Sequence, residues 1–180
     1  MLVAGRDVLK ETLRLYSSVP VNDRKANKDS FLPTGGGLDQ TTRVFIPKDR
    51  IVAFSIYALH RRPDLYGMDA ELFRPERWNE DMPMRRGKTT EKWGYLPFNG
   101  GPRICLGSER YAHQIQEMTL TELLLRDFAL TEAAYTLVRI LLHFPEMGLP
   151  AGQQIEITGV EKQTVTLVLS SSEGCRVKIH

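Results

Sequence analysis

The chain has 180 residues with 24 Lys+Arg against 22 Asp+Glu, a formal charge of +2, 42% hydrophobic and 26% charged residues. A chain of this length can bury about 70% of the surface its unfolded form exposes, which suits one sizeable core and excludes disorder in the bulk. The balanced charge offers no basic footprint for tracking phosphates, so nucleic acid is not an expected partner.

Leu9, Leu13 and Tyr16 recur at helical spacing, so residues 7–16 read as a helix that ends on the approach to Pro20. Polar alternation leads to a Gly35-Gly36-Gly37 turn. Arg43-Val44-Phe45-Ile46 and Ile51-Val52-Ala53-Phe54-Ser55-Ile56 are β-branched and aromatic between turn signals, which predicts two or three short strands in a small sheet. Residues 57–60 are ambiguous. Pro63, Gly67, Pro75, Pro83, Gly87, Gly94 and Pro97 then break every candidate element down to Gly107. So long an irregular stretch is uncommon in a compact domain unless it does something or something holds it. Leu120, Leu124, Phe128, Ala133, Leu137 and Leu141 keep near-helical spacing, giving one long helix or two broken ones up to Phe144. The tail alternates over 164–169, turns through 170–174 and returns over 175–179 as a hairpin. The expected fold class is α+β, mainly helical, with a small β-sheet and a C-terminal β-hairpin.

Two cysteines, Cys105 and Cys175, do not make a disulfide framework, and a reducing compartment is the default. No stretch approaches the ~20 apolar residues that span a bilayer, so the chain as written reads as lacking an anchor. Its sharpest local feature is Phe98-Asn99-Gly100-Gly101-Pro102-Arg103-Ile104-Cys105-Leu106-Gly107. Glycines there let the backbone turn tightly and pass close to a flat ligand. Arg103 and the N-terminus of a following helix both favour a thiolate at Cys105, which could bind a metal; the alternative is an inert buried cysteine. Glu11 and Arg14 alone are an i,i+3 pair of the kind that is mostly solvated and worth ~0.2–0.5 kcal/mol.

The pattern Phe-x-Gly-Gly-x-Arg-x-Cys-x-Gly over 98–107 resembles the haem-binding loop of the cytochrome P450 family. Glu11-Thr12-Leu13-Arg14 resembles the family's Glu-x-x-Arg helix, and Phe73-Arg74-Pro75-Glu76-Arg77-Trp78 resembles its Pro-Glu-Arg-Phe/Trp segment, in the same order. Leu32-Pro33-Thr34-Gly35-Gly36-Gly37, Ala58-Leu59-His60-Arg61-Arg62-Pro63 and Phe128-Ala129-Leu130-Thr131-Glu132-Ala133 are similar to fungal microsomal members that hydroxylate n-alkanes and fatty acids. The resemblance implies haem b as cofactor, with Cys105 as the axial thiolate on iron. It implies Arg103 on a haem propionate, Phe98 packed near the thiolate or else a plain core residue, and Arg24 as a second propionate ligand or else a surface arginine. It implies a buried Glu11, Arg14 and Arg77 cluster beneath the haem. His60 would be a histidine near the haem or a satisfied structural one. Residues 19–21 and the hairpin tip near 170–173 would edge a pocket for a small hydrophobic substrate. An NADPH-cytochrome reductase is the implied partner and the endoplasmic reticulum membrane the implied location of the family; this chain, read as lacking an anchor, would be cytoplasmic or of unknown location.

Residues 1–180 correspond to a partial haem domain, the C-terminal portion of a family member, without the anchor and the substrate-access helices. Ala4-Gly5-Arg6-Asp7 resembles the start of the helix over the haem, but Val8-Leu9 follow where the family carries threonines. Residues 108–127 read as an insertion foreign to the family, expected to be an intron retained in frame. The expected function is haem-thiolate monooxygenation by the intact parent. For this chain the alternatives are an inactive remnant or a small interaction module.

Overall fold

The computed structural model describes residues 2–87, 93–105, 128–152, 163–166, 168–172, 174 and 177–179. Helix α1 (Leu2–Leu15) opens the chain. It begins earlier than the predicted span and runs through Gly5. Asp7, Glu11, Arg14 and Leu15 are its buried residues. That is one helical face at i, i+4, i+7 and i+8, but three of its four members are charged. The apolar positions Leu9, Leu13 and Tyr16 are only partly buried.

Four strands follow rather than two or three: β1 (Val21–Lys25), β2 (Ser30–Gly36), β3 (Thr42–Ile46) and β4 (Ile51–Ser55). They form two antiparallel pairs, β1 with β4 and β2 with β3. The polar β1 escaped the apolar pattern because it is a one-sided strand, with Asn22 and Arg24 and their partners Phe54 and Val52 partly covered and the rest exposed. Phe31 and Phe45 face each other across β2 and β3 with centroids 5.2 Å apart, an aromatic cross-strand pair.

The ambiguous residues become helix α2 (Ile56–Leu59), capped by Ser55, whose Oγ accepts the Ala58 N–H at 3.1 Å. Helix α3 (Pro63–Tyr66) and the 3₁₀ turns Pro75–Asn79 and Pro83–Arg86 each begin on a proline. Proline has no N–H to lose in a first turn, so residues that break long elements start short ones. These turns carry the core of the described residues: Leu65, Tyr66, Ala70, Trp78, Met82 and Met84, with Leu59 and Tyr95 packed against it. Each large side chain fully buried there is worth roughly 1.5–3 kcal/mol. The stretch without long elements thus holds the buried apolar cluster among the described residues.

Helix α4 (Phe128–His143) packs on α1 and stops before Pro145. The predicted helical residues Leu120 and Leu124, like the insertion 108–127, lie outside the described residues. The C-terminal hairpin exists with different arms. β6 (Gln163–Val165) pairs with β7 (Leu169–Ser171), while β8 (Lys178–Ile179) pairs with β5 (Met147–Gly148). The alternating run over 164–169 is not one strand: it folds at Thr166, whose N–H donates to the Val168 carbonyl at 3.2 Å. Period-two alternation continues unchanged through a fold of that kind, which is why the pattern concealed it.

Candidate functional site

The base of the site is the charged face of α1. Glu11 is fully buried and its carboxylate accepts five hydrogen bonds. Oε1 takes Arg14 Nη2 at 2.8 Å, the Arg74 N–H at 2.9 Å and Arg77 Nε at 2.9 Å; Oε2 takes Arg14 Nε at 2.9 Å and the Trp78 indole at 3.1 Å. Burial alone would raise this carboxyl, and the donors from Arg14, Arg74 and Arg77 outweigh it and hold it below the ordinary glutamate value.

Both arginines use every N–H they have. Besides Glu11, Arg14 donates to the carbonyls of His60, Ala70 and Leu72. Arg77 donates to the carbonyls of Tyr66, Asp69 and Leu72 and to Asp69 Oδ1 at 3.2 Å. Two guanidiniums therefore meet two carboxylates, Glu11 and Asp69. The implied cluster of Glu11, Arg14 and Arg77 is present, and it ties α1 to the turns around residues 60, 70 and 77. Asp69 was not anticipated. Charge balance could have found it, since two buried cations against one anion require another carboxylate nearby.

From this base the chain rises to the cysteine loop through three consecutive anchors. The Tyr66 hydroxyl donates to the Gly94 carbonyl at 2.8 Å, the Tyr95 hydroxyl donates to the Lys10 carbonyl at 3.1 Å, and the Leu96 N–H donates to His60 Nε2 at 2.8 Å. Burial raises both tyrosine hydroxyls out of reach of ionisation, so each remains a donor. His60 is fully buried. Burial lowers it to about 4, with Arg14 and Arg61 adding to that shift and the hydrogen bond to the Arg14 backbone opposing it. Both ring nitrogens of His60 have hydrogen-bond partners within the protein.

After Pro97 the loop closes on itself. The Asn99 N–H donates to the Leu96 carbonyl at 3.2 Å, and the Cys105 N–H to the Phe98 carbonyl at 3.0 Å. Asn99 and Gly101 have φ of 68° and 72°, the left-handed region. A side chain on Gly100 would lie 2.8 Å from Trp93 Cζ3 and 3.3 Å from Leu96 Cδ2, so the backbone passes against the indole only because the residue is glycine. Arg103 ends a single 3₁₀ turn, Gly101–Arg103, and is exposed. Cys105 is exposed as well, which rules out the inert buried cysteine. The helix expected after it falls outside the described residues.

Phe98 is partly buried. Arg24 sits on β1 with local partners: it donates to the Asp23 carbonyl at 2.6 Å, and its guanidinium lies 5.5 Å from the Phe54 ring centroid. The Leu169 N–H donates to the Ser18 carbonyl at 2.9 Å, so the start of β7 and the segment before β1 do meet.

Residues 5–153 match the family described as Cytochrome P450. The chain belongs to the cytochrome P450 family. It is 46% identical to a protein named Cytochrome P450 from Arthroderma benhamiae, over 96% of this chain and 30% of the relative. Against Cytochrome P450 52A6 of Candida tropicalis identity is 40%, over 96% of this chain and 28% of the relative. Against Cytochrome P450 52A3-B of Candida maltosa it is 45%, over 93% and 27%. The chain thus spans under a third of the length of these relatives. Among solved structures it is similar to retinoic acid bound cyanobacterial CYP120A1, at TM-score 0.65 and 29% identity over 97% of this chain and 31% of that one. It is also similar to the cytochrome P450DA heme domain, at 0.64 and 25% over 98% and 30%. Both are cytochrome P450 folds, and the α+β arrangement expected from the sequence is a part of that fold.

The cofactor of this P450 family is haem b. The residues present suit it. A porphyrin brings four nitrogens of its own to the iron and asks the protein for a further donor, which an exposed thiol on a hydrogen-bonded turn can be. The glycines at 100 and 101 keep side chains off the loop where a flat macrocycle has to come close.

Proposed function

We propose that Cys105 is the axial thiolate ligand of haem in a monooxygenase, and that 98–105 is the proximal loop which carries it. The observation behind this is the exposed Cys105 held by the Phe98 carbonyl, on a loop anchored through residues 94–96 to a sealed ionic base. Haem bound there supplies the activation of dioxygen, from which one atom enters a C–H bond. The chain's own residues fix the thiolate. The Cys105 N–H is committed to Phe98, Arg103 is exposed where it can meet a propionate, and Arg24 is assigned as a second propionate contact. Phe98 is assigned as the ring packed near the sulfur.

The proposed substrates of the whole protein are n-alkanes or fatty acids, and the proposed electron donor is an NADPH-dependent reductase at the endoplasmic reticulum. The identity to the 52A proteins of Candida supports this, together with the motifs over 32–37, 58–63 and 128–133. Residues 108–127 are assigned as an insertion within the partial haem domain. No helix among the described residues is long and apolar enough to cross a membrane.

Reconstituting the chain with hemin and recording the ferrous carbon monoxide spectrum tests the ligand. The thiolate band should appear in wild type and vanish in Cys105→Ser; indistinguishable spectra would overturn the assignment. A second reading, an interaction surface, is favoured by α4, where Tyr135, Val138, Ile140, Leu141 and Leu142 are exposed. Sedimentation of the chain as a monodisperse monomer would remove it.

A further inference from the structure

His60 lies between the two parts of the site and touches both. Its Nε2 accepts the Leu96 N–H at 2.8 Å, so that nitrogen carries no proton. The proton is therefore on Nδ1, which faces Ser17 Oγ at 2.9 Å and the Arg14 carbonyl at 3.1 Å. Ser17 already donates its own proton to the Leu13 carbonyl, so its oxygen is available as an acceptor from Nδ1. The backbone carbonyl of His60 takes Arg14 Nη1 at 2.7 Å. One residue thus joins the end of α1, the guanidinium of the ionic base and the last N–H before Pro97.

We infer that His60 is a positioning residue for the cysteine loop, holding the Leu96 peptide in place so that the turn built on it presents the Cys105 sulfur at a fixed height and direction. The route is short and consists of three hydrogen bonds. His60 fixes Leu96, the Leu96 carbonyl receives the Asn99 N–H, and the carbonyl of the adjoining Phe98 receives the Cys105 N–H. Pro97 has no N–H, so Leu96 offers the last backbone donor by which the approach to Phe98 can be tied down. The role needs a neutral imidazole with a bare Nε2. The groups around the ring favour it: the Arg14 and Arg61 guanidiniums repel an imidazolium, and the Tyr66 and Tyr95 rings at 6.4 and 5.2 Å offer it no anion. The inference rests on the thiolate reading for its chemical meaning but not for its test.

The test compares three variants of the full chain by amide hydrogen exchange. His60→Phe keeps a ring and removes both nitrogens. His60→Gln can place an acceptor near Nε2, whereas His60→Asn can replace only the Nδ1 side. The expected result is that Leu96 and Asn99 exchange about tenfold faster in His60→Phe and His60→Asn and return close to wild type in His60→Gln. The Arg74 N–H, bound to Glu11, should be unchanged. A histidine that merely fills the core would give no difference between Gln and Asn, and that result would overturn the inference. Should the variants fail to fold, the ¹⁵N spectrum of wild type decides: a neutral Nδ1–H tautomer supports the role, and an Nε2–H tautomer or an imidazolium at neutral pH overturns it. With hemin bound, His60→Phe and His60→Asn should lose thiolate band relative to His60→Gln. A wild type without any thiolate band would sink the haem reading while leaving the exchange and tautomer results to decide the role of His60.

Discussion

The ionic base under the loop and the loop itself use the same materials, arginine, an acidic side chain and backbone polar groups, in opposite ways. Glu11, Arg14 and Arg77 have no exposure, and every donor of both arginines is engaged. Arg103 and Cys105 are exposed on a turn held by backbone bonds. A buried ion pair is poor as a source of net stability but severe as a constraint, since any missing partner leaves a charge without compensation. The base therefore specifies how α1 meets the turns around it, and the loop, tied to those elements through residues 94–96, leaves Arg103 and Cys105 exposed.

The largest effect should come from breaking the base. Glu11→Gln leaves the Arg14 guanidinium without its carboxylate and Arg77 with Asp69 alone, and about 3–5 kcal/mol of stability should be lost. Urea unfolding followed by near-ultraviolet circular dichroism measures it. A loss no greater than that of a loop substitution would break the contrast between the two regions.

The next effect is a pH dependence located in the connection. His60 is lowered from 6.5 to about 4, so the unfolded chain binds a proton at a pH where the folded chain does not. Its contribution is complete above about pH 6.5, falls as the pH drops toward 4, and does not change further below that. At 1.36 kcal/mol per unit this amounts to roughly 3 kcal/mol. Glu11 acts in a separate window, because its folded value is depressed and its contribution declines only as the pH falls below 4.5. Unfolding midpoints between neutral pH and about pH 4.5 should slope in wild type and flatten in His60→Gln; equal slopes would show that His60 is not the titrating group.

A smaller effect is expected at the turn. Gly100→Ala sets a methyl 2.8 Å from the Trp93 ring. Overpacking of this kind costs about 1–3 kcal/mol, and Trp93, 41% exposed, can swing outward, which favours the low end. A change in Trp fluorescence together with faster loss of bound hemin would mark the displaced turn. Unaltered fluorescence would mean that the glycine is not there to admit the indole.

What the sequence made legible follows the same division. The loop could be read directly, because its chemistry is local: glycines, Arg103 and Cys105 stand within a few residues of one another. The base was legible only through resemblance, because Glu11 and Arg77 are far apart in the chain and an isolated i,i+3 pair on a helix ordinarily faces water. Leu9, Leu13 and Tyr16 revealed the helix by their spacing, while the structure buries Asp7, Glu11, Arg14 and Leu15 on it. Apolar patterns report faces buried against apolar neighbours and are silent on a face buried against carbonyls and counter-charges. The anchors at Gly94, Tyr95 and Leu96 had no signal, since two of the three act through backbone atoms that every residue type possesses. The prolines misled for a related reason. They exclude long elements but say nothing of how well a series of short turns can pack.

The smallest effect sharpens the comparison most, because it separates stability from presentation. Cys105→Ser replaces one exposed atom in a loop whose geometry depends on the Cys105 N–H and the Phe98 carbonyl, both of which the serine keeps. The unfolding midpoint should move by no more than the ~0.5 kcal/mol typical of surface changes. Hemin binding through sulfur should nevertheless disappear entirely. If the substitution instead destabilised the chain by as much as Glu11→Gln, the sulfur would belong to the packed base, and an exposed donor held in place by a sealed foundation would not describe this site.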